Sequence, residues 1–218
     1  EEAMQLNGLT VLLLFLLLEG PCSGDSTGIS VSEIAATVPK SEKYYGDIRK
    51  FLNTSQPVWT YNTTKPWNVS CAVDVKRNIS ETDIIFNRTY YYKNDTVSYM
   101  VNGTFYAPIP DYFDTILTGG LGTLKQGWEM MLYLSNNSKC AVFNISILYP
   151  VEVTWYDMRV LNSSIETKPQ LDCTDAYEHF TLKSSVRPRK IYFPQCQQIL
   201  RKMPTSSTPC HERGGRDF

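Results

Sequence analysis

The stretch of residues 139–181 constrains the fold of this chain more than any other. It contains two alternating apolar runs on either side of Pro150, then a polar loop and a short amphipathic segment. Side chains of a strand alternate between its two faces. One face of the first run consists of Ala141, Phe143, Ile145 and Ile147, and one face of the second of Val151, Val153 and Trp155. The pattern predicts a β-hairpin with its turn at Pro150, a residue excluded from central strands.

After Pro169 the apolar spacing becomes helical. Cys173, Ala176, Tyr177 and Phe180 recur at the spacing that places side chains on one helix face. We therefore expect a helix whose apolar face packs on another apolar surface, most simply the outer wall of the sheet.

Residues 1–24 are expected to be a cleaved signal peptide. The aliphatic run of residues 9–18 is too short to span a bilayer, and small residues follow it. Its removal takes away three acidic residues and no basic ones, which leaves 21 basic and 19 acidic side chains. Charge therefore says little about partners. The remaining length fits one compact domain.

Sequons and cysteines both indicate secretion. The cysteines that remain without Cys22 are Cys71, Cys140, Cys173, Cys196 and Cys210, of which four could form two bridges in an oxidising compartment. The chain has ten Asn-x-Ser/Thr sequons, a density typical of a glycosylated extracellular protein. They lie at Asn53, Asn62, Asn68, Asn78, Asn87, Asn94, Asn102, Asn136, Asn144 and Asn162.

Strand-like runs at regular spacing precede the hairpin. They cover residues 57–62, 68–75, 83–92, 96–106, 112–117 and 127–134, with loops rich in Asn, Asp, Gly and Pro between them. Together with the hairpin they predict a mainly β fold, an eight-stranded antiparallel up-and-down barrel, because closure removes sheet edges. A barrel of this size can hold one small ligand.

Helices and flexible segments are expected at the ends of this barrel. A short N-terminal helix is predicted over residues 41–52, with Ser41 as its N-cap. The C-terminal helix should pack on the barrel. We expect residues 25–40 to be flexible, residues 41–196 to form the barrel domain and residues 197–218 to be a disordered tail.

Several short motifs then point to a family. They are Asp47-Ile-Arg-Lys-Phe-Leu, Trp67-Asn-Val-Ser-Cys71, Lys139-Cys140-Ala-Val, Lys168-Pro-Gln-Leu-Asp-Cys173 and Tyr192-Phe-Pro-Gln-Cys196. In their order and cysteine spacing, over residues 45–196, the chain resembles the tick salivary lipocalins of the histamine-binding protein family. The resemblance implies disulfides between Cys71 and Cys196 and between Cys140 and Cys173, each contributing ~2 to 4 kcal/mol.

The resemblance also implies a function, the sequestration of a small host mediator in the barrel lumen. Amine-binding members hold the cationic head of the ligand with acidic lumenal side chains. Here Ala141 and Val153 stand at two of these positions, and no acid lies between Asp47 and Asp74. Since an uncompensated buried charge is very costly, we expect a ligand less basic than histamine, such as an eicosanoid.

The sequons indicate which strand residues point inward, because a glycan on a strand must face solvent and its sequence neighbours then face the lumen. By this rule Arg88 follows an outward-facing Asn87 and points into the lumen, where we hypothesise that it binds a lipid carboxylate. Alternatively, Arg88 extends to the barrel mouth, or its sequon is unoccupied. Asp157 partly neutralises Arg159. Trp59, Trp67 and Trp155 are either core residues or platforms on which a ligand packs. The candidate lumenal residues are Trp59, Trp67, Phe86, Arg88, Tyr90, Tyr99, Ala141, Phe143, Val153, Trp155 and Arg159.

Other function classes are weaker on sequence grounds. His179 and His211 lack a catalytic partner at a recognisable spacing, so we expect no enzyme. The sequence has only these two histidines and no CxxC pair, so we expect no metal site and no cofactor. A surface-acting inhibitor that binds a host protein, such as a complement component, through its loops is the alternative. Residues 187–190 and the tail are basic, which indicates a solvated terminus or attraction to polyanions. We expect a secreted monomer with no nucleic-acid partner and no membrane span.

Overall fold

The computed structural model describes residues 30–39, 46–93, 95–148, 151–166, 170–182 and 184–202. The expected signal peptide and the tail beyond residue 202, which includes Cys210, lie outside these ranges. So does Pro150, at the expected hairpin turn.

The strands form a closed antiparallel barrel, as the sequence predicts. Strand β1 pairs with both β8 and β2, which closes the first eight strands, and the short β9 adds to β1. The strands are β1 (Val58–Thr63), β2 (Val69–Ile79), β3 (Asp83–Tyr92), β4 (Asp95–Tyr106), β5 (Thr115–Gly120), β6 (Lys125–Leu134), β7 (Cys140–Ile147), β8 (Val153–Leu161) and β9 (Arg189–Lys190).

Helix α1 (Val31–Thr37) lies in the segment expected to be flexible, and that expectation is wrong for these residues. Ser30 caps its N-terminus in a capping box with Glu33. Ile34 is fully buried and packs with Leu117 of β5 and with the outward-facing Trp128 and Met130 of β6. Helix α1 therefore covers one outer face of the barrel.

Helix α2 (Ile48–Leu52) plugs one end of the barrel. It is shorter than the predicted helix and begins after Asp47, whose carboxylate accepts a hydrogen bond from the Arg49 backbone N–H. Ser41, the predicted N-cap, lies outside the described residues. The buried face of α2 packs in the apolar core that fills the closed end, formed by Ile48, Phe51, Leu52, Ile84, Phe86, Val101, Phe105, Ile116, Met131, Ala141, Phe143 and Ile145 among others.

Helix α3 (Leu171–Thr181) packs on the outer wall of the sheet, as predicted. Both disulfides implied by the resemblance are present, Cys71–Cys196 and Cys140–Cys173. All four cysteines belong to one apolar cluster between the sheet, α3 and the C-terminal segment. The second bridge joins β7 to α3 across this cluster.

The chain after Cys196 is ordered for several residues, contrary to the expected disorder from residue 197. A 3₁₀ segment, Pro194–Lys202, buries Ile199 completely against the outer sheet. The Cys71–Cys196 bridge explains this order, because it holds the segment against the barrel.

Strand β2 contains a bulge that changes which of its side chains face the interior. Cys71 has φ 55°, and the β2–β3 register shifts between Ser70 and Val73. Beyond the bulge Val73 packs in the outer cluster with Cys71, whereas Asp74 reaches the interior. Strict alternation would have kept Val69, Cys71 and Val73 on one face, but Val69 lines the barrel mouth.

We predict that Ile34→Ala lowers the free energy of unfolding by about 2 to 4 kcal/mol, because it leaves a cavity between α1 and the sheet. Urea denaturation followed by Trp fluorescence measures the loss. Val31→Ala on the same helix, at a residue 50% exposed, is the matched control and should change stability by less than about 0.5 kcal/mol. Equal effects of the two variants would show that α1 does not pack on the barrel in solution.

Candidate functional site

The barrel interior is divided into three levels between its closed and open ends. The apolar core fills the closed end. Above it lies a group of five charged side chains, here called the ionic cluster: Asp74, Arg88, Glu129, Asp157 and Arg159. The level at the open end is an aromatic cavity. Strand β3 passes through all three, with Phe86 in the core, Arg88 in the cluster and Tyr90 at the cavity.

Arg88 is the centre of the ionic cluster. Its Nε and Nη2 donate to the two carboxylate oxygens of Asp74, each at 2.8 Å, in the bidentate geometry that suits a guanidinium. Its Nη1 donates to Glu129 Oε1 at 2.8 Å. Both strong hydrogen-bonding edges of Arg88 are therefore committed to protein carboxylates.

Arg159 completes the cluster from β8. Its Nη1 lies 2.6 Å from Glu129 Oε2, and its Nη2 lies 3.4 Å from Asp157 Oδ2. Thr63 Oγ1 donates to the other oxygen of Asp157 at 2.7 Å. Each of the three carboxylates thus has an arginine partner within the protein.

The cluster rests on the aromatic top of the core. The Arg159 guanidinium lies 4.4 Å from the ring centroid of Phe143, and that of Arg88 lies 5.1 Å from Phe86. Glu129 is only 1% exposed. Burial would raise the pKa of Glu129, but the guanidinium groups of Arg159 and Arg88 outweigh burial and lower that pKa to about 2.

Lys65, in the loop between β1 and β2, directs its ammonium into a group of aromatic rings, here called the aromatic box: Trp67, Tyr90 and Trp155. Its Nζ lies 4.7 Å from the Trp155 centroid, 5.2 Å from that of Trp67 and 5.5 Å from that of Tyr90. These distances are within cation–π range. Burial lowers the pKa of Lys65 to about 8, and Arg88 and Arg159 act in the same direction against Asp157 and Glu129.

Arg189 of β9 fixes the loop that carries Lys65. Its guanidinium donates to the backbone carbonyls of Lys65 and Trp67. The neighbouring Ile191 accepts a hydrogen bond from the backbone N–H of Cys71, and Cys71 is bridged to Cys196. The C-terminal segment therefore positions one wall of the aromatic box from outside the barrel.

The cavity at the open end has a volume of about 560 Å³, a size typical of small-molecule sites. Its described lining contains no carboxylate, and its cationic side chain is Lys65. The other lining residues are Trp67, Val69, Tyr90, Tyr92, Val97, Tyr99, Gln126, Ile147, Val151 and Val153. This arrangement provides an apolar, aromatic chamber with a positive charge at one wall.

The candidate residues proposed from the sequence separate into several groups. Trp67, Tyr90, Tyr99 and Val153 line the cavity, and Trp155 contributes to the aromatic box. Contrary to the prediction, Phe86, Ala141 and Phe143 are packed in the apolar core and do not belong to the lining of the cavity. Arg88 and Arg159 belong to the cluster itself.

The assignments of Arg88 and Trp59 also need correction. Arg88 faces the interior, but Asp74 and Glu129 occupy its guanidinium, so it is not free to hold a ligand carboxylate. Trp59 does not face the lumen. It is buried in the outer cluster, where its Nε1 donates to Asn162 Oδ1 at 2.8 Å and its ring makes a T-shaped contact with Tyr192. The C-terminal segment covers that outer face, so a tryptophan can be buried there.

Sequence reasoning missed Lys65 and did not assign Glu129 to the lumen. The loop position of Lys65 gives no alternation signal. In β6, the apolar Trp128 and Met130 flank Glu129 and would suggest that the acid faces solvent. They are apolar because α1 covers them on the outside, and Glu129 consequently points inward.

The sequons differ in accessibility. Asn53, Asn68, Asn78 and Asn136 are exposed, and Asn62, Asn102, Asn144 and Asn162 are partly buried. Asn87 is only 4% exposed and accepts a hydrogen bond from Ser98 Oγ, which disfavours a glycan there in the folded protein. Asn94 lies outside the described residues.

Within the described ranges, no group of three or more His, Cys, Asp or Glu side chains is placed to hold a metal ion. No helix in the same ranges is both long and apolar enough to cross a membrane.

We predict that Glu129→Gln lowers the free energy of unfolding by about 3 kcal/mol or more, because it leaves two buried guanidinium groups short of a carboxylate. Urea denaturation checks this expectation. The same isosteric change at the exposed Glu152 is the control, with an expected change below about 0.5 kcal/mol. A cluster that is open to water in solution would instead make the two variants equally stable.

Comparison with known proteins places the fold. No protein-family model matches the chain, and no curated protein matches it. Among solved structures, the protein AM182 in complex with serotonin is 17% identical, with a TM-score of 0.53, over 73% of this chain and 97% of that one.

Two more distant structures are similar over most of their length. The siderocalin Ex-FABP is 3% identical, with a TM-score of 0.45, over 61% of this chain and 83% of its own. Insecticyanin from the tobacco hornworm Manduca sexta is 9% identical, with a TM-score of 0.48, over 77% of this chain and 88% of its own. The closed eight-stranded antiparallel barrel with a C-terminal helix on its outer wall is the lipocalin fold.

Proposed function

We propose that this protein binds and sequesters a small apolar anion, such as a lipid carboxylate, in the cavity at the open end of its barrel. The observation that carries the proposal is the position of Lys65, a cation at the wall of an aromatic cavity whose described lining has no carboxylate. A ligand carboxylate would bind the ammonium through a charge-assisted hydrogen bond. Its tail would displace water from the aromatic and aliphatic lining.

The charges of the interior favour an anion over an amine. The ionic cluster pairs its three carboxylates with Arg88 and Arg159, so none is free to hold an ammonium group. A ligand amine in the cavity would also meet Lys65 as a like charge. AM182 binds serotonin, and this chain shares its fold, but the charge at the cavity here has the sign that repels an amine.

The proposed setting is extracellular, as expected for a protein that captures a host mediator. The two disulfides and the exposed sequons Asn53, Asn68, Asn78 and Asn136 support it, since disulfides persist in oxidising compartments. Such a protein acts by stoichiometric capture, so the relevant quantities are affinity and abundance.

We predict that Lys65→Met weakens binding of decanoate about 10- to 100-fold, the loss expected for one charge-assisted hydrogen bond. Titration calorimetry with decanoate, decanol and decylamine separates the charge from the shared tail. Decanol should bind wild type and variant within about threefold of each other. Lys190→Met, which removes an exposed cation on the outer wall, is the matched control and should leave decanoate affinity unchanged.

Tighter binding of decylamine or serotonin than of decanoate would overturn the anion proposal in favour of an amine. If none of these ligands binds, the alternative function, binding of a host protein through the surface loops, would be favoured.

Binding of the anion should also depend on pH. The pKa of Lys65 is lowered to about 8, so its ammonium is lost as pH rises through that value. Decanoate affinity should therefore fall by about tenfold or more between about pH 7 and about pH 10. Decanol affinity should stay constant over the same range, and Lys65→Met should abolish the pH dependence. A pH dependence that survives in this variant would assign the effect to another group.

A further inference from the structure

The surroundings of Lys65 offer more than is needed to attract a ligand anion. Its Nζ lies within 5.5 Å of the three ring centroids of the aromatic box, and Lys65 is a lining residue of the open cavity. Among the described residues, no carboxylate forms an ion pair with Lys65, although Asp157 and Glu129 are near enough to act on it electrostatically. A lysine in an apolar chamber, close to cationic groups, is the typical environment of an amine that reacts with carbonyl compounds.

We propose that Lys65 captures apolar aldehydes covalently, as an imine between its Nζ and the carbonyl carbon of an aldehyde seated in the cavity. This inference rests on the proposed function, since the same cavity would hold the tail of the aldehyde. The two proposals differ in the group that meets Lys65. An aldehyde would form a covalent bond with its Nζ, whereas a carboxylate would form an ion pair.

The reaction needs no oxidant or reductant. The lone pair of the neutral amine attacks the carbonyl carbon, a C–N bond forms, and the carbonyl π electrons move to oxygen, which takes up a proton. The nitrogen gives up one proton to form a neutral carbinolamine. The carbinolamine then loses its hydroxyl group and the remaining N–H proton as one molecule of water. The product is a C=N bond, which can take up a proton to become a cationic iminium.

The surroundings of Lys65 favour both the attack and the product. With its pKa lowered to about 8, Lys65 has a much larger neutral fraction at about pH 7.4 than an ordinary lysine, of which roughly one in a thousand is neutral. The iminium keeps the positive charge inside the aromatic box, so the cation–π contacts persist. The apolar lining limits access of the water that would hydrolyse the imine.

Charged groups around Lys65 act in both directions. Arg88 and Arg159 favour the neutral amine that attacks, whereas Asp157 and Glu129 favour the cationic iminium once it has formed. The side chain carries the same charge as an ammonium and as an iminium, so the ionic cluster has the same electrostatic surroundings before the reaction and after it.

The test uses the whole protein, decanal as the probe and cyanoborohydride to trap imines. Intact mass should increase by one decyl group in place of hydrogen, and peptide mapping should locate that group on Lys65. We expect Lys65 to be modified at least about tenfold faster than the exposed Lys50 and Lys190 at about pH 7.4. Equal rates at the three lysines would overturn the inference.

Two matched variants separate this inference from the proposed function. Lys65→Arg keeps a cation but removes the nucleophilic amine, so it should lose the rapid labelling. Lys125→Arg changes another buried lysine, whose Nζ donates to the Asn102 carbonyl, and should label like wild type. Decanol binding by both variants shows that their cavities are intact.

The possible outcomes are distinct. Wild type that binds decanoate but shows no preference for Lys65 in labelling would refute covalent capture and leave the proposed function standing. Wild type that labels rapidly at Lys65 but does not bind decanoate would support covalent capture and refute the proposed anion ligand. Rapid labelling that persists in Lys65→Arg would assign the chemistry to another amine and overturn the inference.

Discussion

The paired charges buried across the barrel determine what the interior can contain. Arg88 and Arg159 come from opposite parts of the sheet, on β3 and β8, and both reach Glu129 on β6. A buried charge without a partner is very costly, so each side chain depends on the others staying in place. With Asp74 on β2, the cluster thus ties four strands together and lies between the filled core and the open cavity.

The ionic cluster also sets the chemistry of the cavity above it. Its three carboxylates outnumber its two guanidinium groups, and Lys65 supplies the additional positive charge from the level above. Buried carboxylates need a cationic partner, and here the protein provides the cations itself. Lys65 within the aromatic box occupies the kind of environment that a ligand ammonium would need. The proposed anionic ligand would take the place opposite this ammonium.

Elements outside the barrel control this interior indirectly. Arg189 holds the carbonyls of the loop that carries Lys65 and Trp67, and the Cys71–Cys196 bridge anchors the following segment. On another face, α1 covers Trp128 and Met130, which leaves Glu129 as the inward residue of β6. The terminal segments are thus part of the architecture of the site.

The sequence by itself determined the barrel, the hairpin, the C-terminal helix face and, through family resemblance, the two disulfides. It also gave the inward direction of Arg88, Tyr90 and Trp155, because alternation is a local property of a strand. Only the tertiary structure decided that Asp74 turns inward after the bulge at Cys71, that Trp59 is covered from outside and that Arg88 is already paired. Those outcomes depend on register and on which elements meet across the closed barrel, and local patterns do not carry that information.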